Sequence, residues 1–303
     1  MKKNLFNIIF LLTVCLTVVV SCNFDPISNE STLTKPEPDT TAFGLWLDVH
    51  FRQEYNIAFK YRFEDIESDY RYNLVPAERK KSEILAQIIK YAWLEAYREE
   101  VGETDSIGTV FLRKYSPKII HLIGSKGYNS DGTVLLGSAE GGVRVSLYDV
   151  NDIDIDNISD PLLMDRLTYK YFHVMHHEFA HIFHQTINYD AAFKEISAGE
   201  YVGSIWNTIS KSTALSKGFM SPYSMDAEDE DFVELYAFYV TNSADWWEEQ
   251  LRIAGDKGRA DIEKKIAIVK NYFVERWGIN LDSMREIVAR RAEDVPNLNF
   301  ETF

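Results

Sequence analysis

The sequence predicts an α+β domain in which a small mixed sheet comes first, one strongly amphipathic helix follows, and a helical C-terminal subdomain completes the chain. Three observations predict it. Strand-like patterns fall between residues 55 and 150, while helical periodicity dominates from residue 159 onward. Strands and helices do not alternate regularly, which argues against a doubly wound sheet and for segregated layers. Of 303 residues, 46% are apolar and 14% aromatic, enough to build a substantial core.

The N-terminus reads MKKNLFNIIFLLTVCLTVVVSC. Two lysines precede an apolar and threonine run from Ile8 to Val20. That run is shorter than the ~20 residues a membrane-spanning helix needs, and it has the layout of a secretory signal over residues 1–21. It ends Val19-Val20-Ser21-Cys22, which resembles a bacterial lipobox: cleavage exposes Cys22, and the cysteine takes a lipid. Cys15 leaves with the signal, so the mature chain has no internal disulfide. Residues 22–42 are rich in Pro, Ser and Thr and read as a tether, with one domain over 43–303.

Within the domain, YNIAFKYRF (55–63) alternates apolar and polar residues as a strand does. Residues 77–102 form a long amphipathic helix that opens after Pro76 and closes at Gly102. PKIIHLIGS (117–125) and the glycine-bearing stretch from Thr133 to Val150 are further strands, with a turn at KGYNSDGT between them. Residues 159–187 are a helix, with Asp160 as its cap and Pro161 at its first position. Helices over 230–251, 257–277 and 280–293 complete the chain.

Five of the seven histidines lie between His173 and His184. At 100° per residue, His173, His181 and His184 fall within about 40° of His177, opposite Met175, Phe179, Ile182 and Phe183. Inside this stripe stands His177-Glu178-Phe179-Ala180-His181, the pattern H-E-x-x-H. Imidazoles at i and i+4 are neighbours on a helix and can share one metal ion, and zinc suits them. Glu178 is then placed as general base toward a metal-activated water. His173, His176 and His184 read as residues that support the site, line its cleft or lie on the surface.

A catalytic zinc needs a third protein ligand. The H-E-x-x-H-x-x-G-x-x-H pattern is excluded, because His184 and Ile187 occupy its last two fixed positions. A carboxylate from a later helix is the alternative. In YSMDAEDEDFVELYAFYV (223–240), Glu230 and Glu234 share one face at i, i+4, amid Phe232, Leu235, Tyr236 and Phe238. The acids from Asp226 to Asp231 also suit a helix N-terminus, but that does not account for Glu234.

HHEFAHIFHQ, followed by EDEDFVELYAFYV and preceded by the lipobox, resembles the zinc metallopeptidase lipoproteins of Bacteroides-type bacteria, described as substrate-import-associated zinc metallohydrolases. The resemblance covers nearly the whole mature chain, including LWLDVHFRQEYNIAFKYRF (45–63). It implies a zincin-like fold, a lipid anchor at the outer membrane of the cell envelope, and TonB-dependent importers with their binding lipoproteins as neighbours.

The resulting expectation is a zinc-dependent hydrolase acting on peptide or protein substrates. His177, His181 and Glu230 hold zinc, and Glu178 is the base. Glu234 accepts a ring N–H from His177 or His181, and the Tyr223 hydroxyl donates to the developing oxyanion. The reverse assignment of Glu230 and Glu234 is the alternative. An edge strand within Thr133–Val150 is expected to pair with extended substrate. The competing expectation is a non-catalytic glycan- or peptide-binding lipoprotein with a vestigial metal site, for which Trp246 and Trp247 would offer a platform. A net charge of −15 argues against nucleic acid as a partner.

Overall fold

Thr41 starts the first helix by accepting a hydrogen bond from the Gly44 N–H at 3.1 Å. The helix α1 (Ala42–Leu47) then runs on through a wider π-helical turn, Asp48–Gln53. In this computed structural model the described residues are 39–63, 71–102, 107–129, 132–135, 137–140, 143–158 and 160–303. The signal segment 1–21, Cys22 and most of the tether lie outside them. Residues Thr40–Phe303 form one compact unit.

Four short strands make the main sheet. They are β1 (Ala58–Lys60), β2 (Ile119–Leu122), β5 (Gly137–Glu140) and β6 (Arg144–Leu147). Their order is β1-β2-β6-β5, with β1, β2 and β6 parallel and β5 antiparallel to β6. The sheet is therefore mixed, and β5 is an edge. A separate hairpin pairs β3 (Gly127–Tyr128) with β4 (Val134–Leu135) at the predicted turn. Of the strand expected over 55–63, only Ala58–Lys60 pairs, because Tyr55 still belongs to the preceding helix.

The helix expected over 77–102 consists of α2 (Arg79–Ile89), a π-helical segment Lys90–Leu94, and α3 (Glu95–Val101). It ends at Gly102, whose φ of 151° a side chain rarely tolerates. A further helix, α4 (Ile107–Tyr115), leads into β2. Asp160 caps the next helix as expected, accepting from Leu162 N–H at 3.0 Å. It runs as α5 (Pro161–Leu167), a π-helical segment Thr168–His173, and α6 (Val174–Thr186).

Then follow α7 (Ala192–Ile196), α8 (Lys211–Ser216), α9 (Glu228–Thr241), α10 (Ala244–Trp277) and α11 (Leu281–Asp294). The single helix expected over 230–251 is two. The backbone breaks at Asn242, and Ser243 caps α10 through Trp246 N–H. A local cap outweighs continuous apolar periodicity here. Within α10 the chain kinks at Gly255.

The apolar face of α6 is the centre of the core. Phe179 packs against Trp93, Tyr97 and Phe183 with ring centroids 4.3–5.5 Å apart. Phe183 reaches Phe273 and Trp277 on α10. Each such buried ring contributes roughly 1.5–3 kcal/mol, so α6 is held rigidly before its polar face does any chemistry. The sheet meets α6 at Gly137, where an added Cβ would lie 2.1 Å from Val174 Cγ1. Val174 is β-branched and its rotamer in a helix is nearly fixed, so the strand would have to move. Gly137→Ala is expected to destabilise the fold by about 1–3 kcal/mol. Urea unfolding would measure it, and an unchanged midpoint would show that β5 and α6 do not meet this closely.

Candidate metal centre

The centre is built between α6 and α9, which pack along each other. Helical spacing puts His177 and His181 on one face of α6, with ring centroids 4.9 Å apart. Across from them, the start of α9 carries Glu230. Its Oε2 lies 3.3 Å from His177 Nε2 and 3.4 Å from His181 Nε2. That oxygen is buried and has no hydrogen-bond donor. Three ligand atoms thus converge on one point, two imidazole nitrogens and one carboxylate oxygen. A buried, donorless carboxylate oxygen facing two imidazoles is the environment a divalent cation satisfies, and this donor set suits zinc. Among the described residues no fourth ligand atom joins the group.

Glu234, one turn further along α9, does a different job. Its Oε1 accepts from His177 Nδ1 at 3.0 Å and from His173 Nε2 at 2.7 Å, and its Oε2 accepts from Ser221 Oγ at 2.7 Å. With Nδ1 bonded to a carboxylate, the Nε2 of His177 is left to face Glu230. His173, Glu234 and His177 also satisfy the distances of a metal group. Those contacts, however, already engage both oxygens of Glu234 in hydrogen bonds, whereas Glu230 Oε2 has none.

His181 is oriented in a parallel way: its Nδ1 lies 3.0 Å from His184 Nε2. So an imidazole, where a carboxylate or carbonyl is usual, fixes the second histidine. None of His173, His176 and His184 is a surface residue, as one reading of the stripe allowed; all three are buried. His176 faces away from the centre and hydrogen-bonds Tyr97, which in turn bonds Tyr236. The Glu234 partners His173 and Ser221, and the His184 partner of His181, were not assigned from sequence. The stripe signalled the histidines; nothing local signalled Ser221.

Electrostatics follow from this crowding. Burial works against a charge on His177, but Glu230 and Glu234 outweigh it and raise its pKa to about 10. A metal must displace that proton, as metal binding to histidine generally does. Burial would raise Glu230 and Glu234, yet the imidazoles hold both well below the usual carboxylate range. Burial raises the Glu178 carboxyl, opposed by His177 and His181 and assisted by Glu230 and Glu234.

The centre opens into a cleft of about 890 Å³ whose lining includes His177, Glu178, Tyr223 and Gly137. Tyr223 sits on a single 3-10 turn, Tyr223–Met225, and stacks over His177 at 5.9 Å and 28°. Burial, then the neighbouring Glu230, raises its phenol well above the ordinary range. The start of α9 is fixed from behind by a fully buried ion pair, Lys265 Nζ to Asp231 Oδ2 at 2.6 Å. Lys265 also donates to Gly218 O at 2.9 Å, and Tyr201 to Asp231 at 3.0 Å. The tryptophan platform does not exist: Trp247 is buried against Tyr239, and Trp246 is half-buried on Phe238.

Comparisons with known proteins bear on the same residues. A family model described as "putative zinc-binding metallo-peptidase" matches residues 36–282. The crystal structure of a protein of that same description from Bacteroides caccae ATCC 43185 is similar, with 40% sequence identity and a TM-score of 0.73. The alignment covers 90% of this chain and 99% of that one. A search of curated proteins returned no significant match.

Proposed function

The chain belongs to this zinc-binding metallo-peptidase family, and from that premise we propose that it is a lipid-anchored peptidase whose zinc is held by His177, His181 and Glu230. The observation that carries the ligand assignment is the convergence of both Nε2 atoms on the donorless Glu230 Oε2 at the side of an open cleft. Bound zinc supplies Lewis acidity, polarising a carbonyl and making water easier to ionise.

The protein's own groups supply the rest. Glu178 follows His177 directly and lines the cleft. Its carboxylate takes a proton from the attacking water and passes it to the leaving amine. A carboxyl raised by burial is better matched to that task near neutral pH than an ordinary one. Tyr223 keeps its proton and can donate O–H to the oxygen that gains charge. Gly137 places the edge strand β5 on the cleft, so an extended peptide can add to the unpaired side of that strand.

The test is a zinc-loaded mature chain presented with a diverse peptide library. Cleavage that stops with a chelator and returns with zinc is the expected result; no cleavage at full zinc occupancy would favour a binding protein.

The lipid anchor and the importer neighbourhood rest on the N-terminal motif and on the resemblance to import-associated lipoproteins. In this reading Cys22 is lipidated, the protein sits at the outer membrane, and its products reach a TonB-dependent importer and its binding lipoprotein. Cys22→Ala is expected to move the protein from the membrane to the soluble fraction, or to stall it as precursor. Membrane partitioning and processing that match the wild type would rule the anchor out.

A further inference from the structure

We infer that Asp226 makes one part of the cleft selective for a cationic group of the peptide; this rests on the peptidase reading above. Asp226 follows the turn that carries Tyr223, and its main-chain N–H bonds Tyr223 O at 2.9 Å. Its side chain lines the cleft. Two influences bear on that carboxylate, its partial burial and the like charge of Glu230; neither a cation nor a hydrogen-bond donor is among them.

The neighbouring acids are different. Asp229 accepts from Tyr189 at 2.5 Å and pairs with Lys194 at 3.5 Å. Asp231 is buried with Lys265. Glu230 faces the imidazoles, and Glu228 points to solvent. A helix N-terminus favours acids in general, which is sufficient for Glu228. It does not account for Asp226, which precedes the Ala227 cap position, makes no side-chain cap hydrogen bond, and lines the cleft.

The surroundings suit a cation. The half-buried Trp206 ring stands edge-on to Tyr223 at 5.1 Å and lines the same cleft. An aromatic ring and an unneutralised carboxylate lining one cleft together recognise ammonium and guanidinium groups. Arg71 is the one lysine or arginine among the described residues that line the cleft. Arg71 is not among the groups that act on the Asp226 carboxylate. The net charge of −15 draws cationic peptides toward it. Two sources offer the group: a lysine or arginine side chain, or the free N-terminal amine.

The experiment measures binding without turnover, in the zinc-loaded mature chain carrying Glu178→Gln. Fluorescence anisotropy follows octapeptides in which each position in turn is lysine, norleucine or glutamate. One series has acetylated N-termini and one has free amines. Lysine at one position is expected to tighten binding on the order of 10-fold over norleucine, and the gain should shrink as salt rises. If the amine is the source, the free-amine series instead binds on the order of 10-fold tighter than the acetylated one, whichever residue stands at each position.

Adding Asp226→Asn is expected to bring the ratio to about one, and Asp226→Glu to restore it, with zinc content equal throughout. A ratio near one in both comparisons, lysine over norleucine and free amine over acetylated, before Asp226 is changed, a preference that survives Asp226→Asn, or no binding of any peptide would overturn the inference. The peptidase reading fails separately, when zinc-loaded wild type binds the lysine peptides with the expected preference and cleaves none of them.

Discussion

With Glu178 replaced by glutamine, peptide hydrolysis is expected to fall by ~10²–10⁴-fold, the usual contribution of a general base, while zinc content stays at the wild-type level. The separation of the two readouts is the point. Glu178 is in neither of the ligand groups that converge near α6, yet it lines the cleft beside His177. Glutamine keeps the length and shape of the side chain and cannot accept the proton. Burial, which raises the Glu178 carboxyl, makes the amide an easy replacement, because a neutral group there costs less than a charge. Zinc analysis alongside kcat/KM decides the matter. If Glu178→Gln lost zinc as severely as His177→Ala, Glu178 would be a ligand and the base would have to be found elsewhere.

What could be read beforehand follows a physical rule: local spacing is legible, while contacts closed by tertiary packing are not. H-E-x-x-H and the i, i+4 pair Glu230 and Glu234 are local patterns, and each defines a face of a helix without reference to anything else. The capped start at Asp160 and the stop at Gly102 are equally local. The π-helical segment Thr168–His173 is not, since the apolar pattern runs through it unchanged. It matters for the site, because it ends at His173, the residue that reaches Glu234 from one turn before the metal pair. His184 was legible as part of the stripe but not as the partner of His181, which depends on the orientation of both rings. Ser221 lies in a loop, and its bond to Glu234 exists only because the chain between α8 and α9 folds back over the site. The alternation over 55–63 extends past the three residues that find a partner on β2, so it marks a longer strand than the one that pairs.

Removing Glu230 and removing Glu234 are expected to differ in kind. Glu230→Ala takes away the carboxylate oxygen on which both Nε2 atoms converge, leaving two imidazoles, too few to hold zinc as a three-ligand site does. Zinc is expected to be lost at stoichiometric concentrations, with activity lost in parallel. Glu234→Ala leaves all three converging atoms in place. It removes the acceptor of the buried His177 Nδ1 and His173 Nε2, while the half-buried Ser221 keeps Ser224 Oγ as a partner at 3.2 Å. Metal affinity should then drop by ~10–100-fold, as for other groups that orient a metal-binding histidine. The fold should also lose about 1–3 kcal/mol for each donor left buried and unsatisfied. Competition against a chelator of known affinity ranks the two variants, and urea unfolding of the metal-free proteins separates the stability effect. Weaker zinc binding in Glu234→Ala than in Glu230→Ala would reverse the two roles: Glu234 would be the ligand, and Glu230 an acid at the mouth of the cleft.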